Sequence, residues 1–183
     1  TGEQPSTAFP VNVIHIPELA YTSVYRKPFE PEDVATAVFH KIREKFDGPC
    51  DIVHVHNPLL AKNTKLLDIL KALQKKGLHL LLQVHDFAED GRAQLYFKDD
   101  YPEDCHYCVV NSRDYRILLK SGLKMQGLHQ LSNCVSPPRI LPKPVAEKPL
   151  VVYPIRAIRR KNIGEAMLWS LLLGDDGKLS ITL

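Results

Sequence analysis

The chain is short of nearly everything that would assign it to a special class. Only four of its 183 residues are Cys, at positions 50, 105, 108 and 134. They are too few and too scattered for a disulfide-stapled scaffold, so reduced thiols are expected. No apolar run exceeds about six residues, whereas a membrane-spanning helix needs roughly 18 or more. A dominant charge is missing as well: 24 Lys and Arg stand against 21 Asp and Glu, a formal net charge of +3. A nucleic-acid binder normally carries a basic stripe, so no nucleic-acid partner is expected. Residues 1–10 are polar and small, without the apolar core of a secretory leader. The chain does not begin with Met, and it reads as a piece of a longer protein. With 44% hydrophobic and 25% charged residues, the composition is that of a soluble globular chain. The expected location is the cytoplasm, with the cytoplasmic face of a membrane as the alternative.

What is present is an alternation of two periodicities. Val11–Ile16 is a short β-branched stretch and predicts a strand. Val34, Val38, Ile42 and Phe46 recur every four residues after Pro31, which predicts a helix ending at Gly48-Pro49. Asp51–His56 predicts a strand that Asn57-Pro58 breaks. Lys65–Lys76 predicts a helix stopped by Gly77. Leu78–Val84 is a near-continuous apolar run of the kind a parallel sheet buries on both faces. A polar, acidic loop is expected over 88–104, then a strand over Cys105–Val110. Asn111 or Ser112 can cap the helix that follows, which stops at Gly122. Gly127–Val135 predicts a further strand.

Strands alternating with helices of this length predict an α/β fold with a doubly wound, Rossmann-like parallel sheet. Five prolines within 136–149 then mark a semi-rigid linker. The expected organisation is a first domain over 1–135, the linker over 136–149, and the start of a second domain over 150–183. In the second domain, Leu150–Tyr153 predicts a strand, Ile163–Leu173 a helix, and Leu179–Leu183 the beginning of another strand. These elements alone cannot bury a core.

The residues with chemical potential fall at strand ends. Arg156, Arg159, Arg160 and Lys161 lie between a strand and a helix start, where free N–H groups and the helix dipole favour anions. Arg adds forked donors for phosphate oxygens. Asn162 and Glu165 have the spacing of a capping box. On residue types alone, the loop reads equally as a solvated basic turn. His54 and His56 project to one face of their strand, and His85-Asp86 follows the next. A strand-end His beside an Asp can bind a sugar hydroxyl or move a proton; a packing role is the plain alternative. Cys105-His106-Tyr107-Cys108 opens a strand rather than a helix and lacks a second Cys pair, so a buried structural role is expected. The acidic run Asp99, Asp100, Glu103 and Asp104 reads as a solvated loop.

The stretch 151–169 resembles the opening of the donor domain in group 1 (family 4) glycosyltransferases of the GT-B fold. The pattern there is an apolar strand, Gly-Arg-Leu, three residues, then Lys-Gly and an amphipathic helix. Arg156 and Lys161 stand five apart as that pattern requires, with Ile155 and Asn162 in place of its two glycines. Earlier segments resemble the same family in order: Asp51–His56, His85-Asp86-Phe87, Val109–Ser112 and Ser132–Val135. The resemblance implies a GT-B-type enzyme. This chain would supply its acceptor-side domain, without an N-terminal segment, and the first unit of its donor-side domain.

The implied function is a hexosyl- or glycosyltransferase that moves a sugar from a nucleotide-diphosphate donor to a carbohydrate or lipid-linked acceptor with retention. The implied catalytic residue is His85, which faces the transferred sugar. Arg156, Lys161 and Arg160 would bind the donor diphosphate. Asp86, His56, Asn57, Ser112 and Asn133 would line the acceptor and sugar cleft. No cofactor and no metal are expected. Competing readings are a sugar-nucleotide epimerase or phosphorylase of the same fold, and a non-catalytic homologue. The piece given is expected to have little activity by itself.

Overall fold

A computed structural model describes residues 1–2, 11–87, 100–136, 150–155 and 161–181. The chain divides into two compact units, Thr1–Cys134 and Val135–Leu183.

The first unit is built on four parallel strands: β1 (Val53–His56), β2 (Leu80–Val84), β3 (His106–Val109) and β4 (Leu128–Gln130). Their spatial order, β1-β2-β3-β4, follows their order in the chain. Val53 pairs with Leu80, Leu81 with His106, and Tyr107 with Leu128. Among the described residues, three α-helices accompany them: α1 (Pro31–Phe46), α2 (Leu66–Lys75) and α3 (Ser112–Lys120). Pro31 occupies the first turn of α1 beside Glu32 and Asp33, which suit the positive end of the helix dipole. Gly77, at φ 85°, stops α2 and Gly122, at φ 105°, stops α3. Both adopt the left-handed geometry that glycine takes without cost.

Alternation along the strands sorts the side chains onto two faces. Leu80 and Leu82 pack with Val34, Ala35, Ile69, Leu70 and Leu73 of α1 and α2. Val84 and Val109 continue that face against Tyr115 and Leu118 of α3. All three helices therefore cover one face, as right-handed crossovers require when successive strands are added in one direction. The register places His54, His56, Leu81, Gln83, His106, Cys108 and His129 on the other face. The parallel α/β sheet is as expected. The reversal of strand order that a second winding requires does not fall among the described residues.

Some expectations are corrected. Val11–Ile16 joins neither sheet. Its backbone bonds to Thr1 instead, from the Thr1 N–H to Ile14 O at 3.0 Å and from the Ile16 N–H to Thr1 O at 2.8 Å. Phe46 is 67% exposed because α1 has 16 residues and α2 only ten. A 2.7 Å ion pair joins Lys76, just past the end of α2, to Glu32 at the start of α1, so the last turn of α1 overhangs its partner. The strand expected over Gly127–Val135 contracts to Leu128–Gln130.

The second unit is a βαβ element. Strand β5 (Leu150–Tyr153) pairs in parallel with β6 (Lys178–Ile181), and α4 (Ile163–Leu173) lies between them in the chain. No residue of α4 is buried. Asn162 precedes α4 at φ 55° without accepting a helix N–H, so the expected capping box does not form. The left-handed backbone swings the side chain outward, and its amide donates to the Glu165 carboxylate instead. Most of the proline-rich stretch, 137–149, lies outside the described residues.

Candidate functional site

In an open parallel sheet, chemistry gathers beyond the C-terminal ends of the strands. At that edge of the first unit stand His56 as the last residue of β1 with Asn57 just after it, His85 and Asp86 after β2, Ser112 after β3, and Asn133 after β4. The first four form one hydrogen-bonded group. His56 Nδ1 lies 2.8 Å from His85 Nε2, and the two rings meet edge to edge with centroids 5.1 Å apart. His54 packs behind His56 at 4.3 Å between centroids.

Asn57 clasps the adjacent strand end. Its Oδ1 accepts the His85 backbone N–H at 2.8 Å, and its Nδ2 donates to Asp86 Oδ1 at 2.9 Å. Its own backbone N–H bonds to Gln83 O at 2.7 Å, continuing the parallel ladder one residue beyond β1. Asn57 reaches this position at φ 53°, a conformation Asn tolerates better than most residues. The 3-10 turn Pro58–Leu60 that follows is buried.

The electrostatics follow from this crowding. Partial desolvation holds the His56 imidazole below its ordinary pKa, and the charges of His54 and His85 lower it further. Such a ring stays neutral at a pH where a free His begins to charge. Ser112 and Asn133 are exposed at the same edge and share no hydrogen bond with the histidines among the described residues. Asn111, not Ser112, caps α3, accepting the Asp114 N–H at 2.9 Å.

The basic loop belongs to the second unit. Arg156 and Arg160, expected to hold the donor diphosphate, lie outside the described residues, as does Arg159. Lys161 is half-buried, and its carbonyl accepts the Tyr153 hydroxyl at 2.8 Å. This bond ties the end of β5 to the far end of the loop. Asn162 stands where the resembled pattern has Gly, and its φ of 55° is a geometry that Gly takes freely and Asn tolerates.

A cavity of about 670 Å³ lies at the opposite edge of the first unit's sheet, lined by Lys71, Gln74, His79, Glu103 and Asp104 among others. It shares no residue with the histidine group. Lys71 pairs there with Asp100 at 2.7 Å, and Gln74 donates to the Glu103 backbone carbonyl. The convergent chemistry is at the histidine edge.

The chain is similar to mannosylglucosyl-3-phosphoglycerate synthase of Petrotoga mobilis. The two are 27% identical over 207 aligned positions, which cover 92% of this chain and 39% of the synthase. The chain therefore spans about two-fifths of that relative's length. At this coarse level, the similarity supports a glycosyltransferase family. No protein-family model matches the chain, and no solved structure matches it.

Among the described residues, no group of three or more His, Cys, Asp or Glu side chains is arranged to hold a metal ion. Cys108 is buried and Cys105 half-buried in the sheet. No helix among the described residues is long and apolar enough to cross a membrane. Sequence reasoning missed two features. One is the clasp by Asn57, because a residue before Pro normally adopts an extended backbone. The other is a second imidazole pair, His106 Nδ1 to His129 Nε2 at 2.8 Å, whose partners are 23 residues apart and meet only through strand register.

Proposed function

We propose that this chain is part of a glycosyltransferase that moves a sugar from a nucleotide-diphosphate donor to a carbohydrate or lipid-linked acceptor. The observation that carries this reading is the similarity, over 92% of the chain, to a synthase named for a mannosylglucosyl conjugate of 3-phosphoglycerate. In the proposed reaction the bond from the anomeric carbon to the diphosphate oxygen breaks, and its electron pair leaves with the diphosphate. A bond forms from the same carbon to an acceptor hydroxyl oxygen on the same face, giving retention. The acceptor's proton leaves with the diphosphate. Arg156, Lys161 and Arg160 stabilise the charge that develops there, which is the task fixed cations perform best. His85 meets the transferred sugar. Asp86, Asn57, Ser112 and Asn133, sharing one sheet edge, are the candidates to bind hydroxyl groups. No metal and no organic cofactor enter this scheme, and the enzyme acts in the cytoplasm or at the membrane's cytoplasmic face.

Calorimetric titration of the full-length protein with UDP, GDP and their sugars tests the proposal. Binding of at least one nucleotide diphosphate is expected, and no binding at millimolar concentration refutes it. Replacing Arg156 and Lys161 together with Ala should weaken that binding by roughly 2–4 kcal/mol, since a charged hydrogen bond contributes about 1.5–3 kcal/mol and the pair is not additive.

A further inference from the structure

The two imidazoles at the sheet edge are not equivalent. His85 Nε2 is committed to His56 Nδ1 at 2.8 Å, and the ring of His56 is held between those of His54 and His85. The backbone of His85 is fixed independently by Asn57 Oδ1. Only one ring nitrogen of His85, Nδ1, is left without a partner among the described residues. We propose that His56 is a positioning residue that fixes the orientation and tautomer of His85, leaving His85 Nδ1 as the nitrogen that meets the sugar. This deepens the transferase reading above and rests on it for the identity of the ligand.

The chemistry follows from hydrogen-bond accounting. One of the two facing nitrogens must carry the proton that joins them. When His85 Nε2 donates, His85 Nδ1 offers a lone pair and accepts a sugar hydroxyl. When His56 Nδ1 donates, His85 Nδ1 carries the hydrogen and becomes a donor. The tautomer of His56 therefore sets the hydrogen-bonding sense of the other residue's reactive edge, as an outer partner orients a metal-ligating or catalytic His. The groups facing the pair are His54 on β1, Asp86 after β2 and the neutral clasp of Asn57.

Nitrogen NMR of the 183-residue chain labelled with 15N-histidine is the test. A two-bond coupling between His56 Nδ1 and His85 Nε2, together with a single tautomer at His85, is the expected result. His56→Phe keeps an aromatic ring but removes the nitrogen, and should let His85 average between tautomers. His56→Asn restores a polar atom near the Nδ1 position and should restore one tautomer. An averaged His85 ring without the coupling in the unsubstituted chain overturns the proposal, and so does a His85 spectrum unmoved by His56→Phe. In the full-length protein, His56→Phe should lower kcat about tenfold at unchanged KM, the size of one well-placed hydrogen bond. If no sugar is transferred by any variant, the transferase reading fails, and the nitrogen spectra still decide the role of His56.

Discussion

Asn57, at φ 53°, commits both ends of its side chain to the end of β2. Replacing it with Ala removes two hydrogen bonds and places a side chain without a polar tip in left-handed geometry. The left-handed backbone costs about 1–2 kcal/mol, and each bond contributes about 0.5–1.5 kcal/mol, at the low end where water competes. Asn57→Ala should therefore lower unfolding stability by roughly 2 kcal/mol in urea titrations. Asn57→Gly, which keeps the backbone relaxed, should lose less; equal losses would remove the backbone from the explanation. His56 makes a pH prediction with a definite sign. Its folded pKa lies below the ordinary value, so the unfolded chain binds this proton first as pH falls. Stability is then complete above about pH 6.5 and declines below it, levelling off beneath the folded pKa. In His56→Asn the decline should be shallower, as read from urea midpoints against pH. The histidines and Asp86 were legible as strand-end residues in the sequence. Their mutual contact was not, because it depends on the one-to-one register of β1 on β2 and on a left-handed turn before a proline.

Among the elements, the glycine stops offer the cleanest test. Gly77 sits at φ 85° in open space, with nothing near where a Cβ would stand. Gly77→Ala should therefore cost only the conformational term, about 1–2 kcal/mol, measurable by thermal or urea unfolding; a neutral result would mean that α2 can end another way. The helices were legible because the spacing of Val34, Val38 and Ile42, the proline start and the glycine stops are local signals. Val11–Ile16 shows the opposite case. Its β-branched composition favours an extended backbone, but a strand exists only when a neighbour answers its hydrogen bonds, and composition does not name the neighbour. Asn162 and Glu165 likewise had the spacing of a capping box, yet the cap requires an extended backbone at the first position, and φ is 55° there.

The two units differ in how much they bury. The first has fully buried side chains at Ile69, Leu82, Val84 and Val109, while in the second Trp169, Leu171 and Leu172 of α4 are 62–76% exposed. Amide exchange should therefore be slowest in β2 and β3 and much faster throughout β5, α4 and β6. Comparable protection in both units would contradict the burial pattern. The alternation of strands and helices announced a parallel sheet, whereas the face on which the histidines stand follows only from the direction in which successive strands are added. That direction has a kinetic consequence. Because β1 to β4 stand side by side in the order in which they are made, each strand docks on one already present, and the closing loops stay short. A domain assembled in this way has low contact order for a parallel sheet and should fold faster than one whose strand order reverses. It can also grow strand by strand as the chain leaves the ribosome, each new strand covering the open edge left by the one before it.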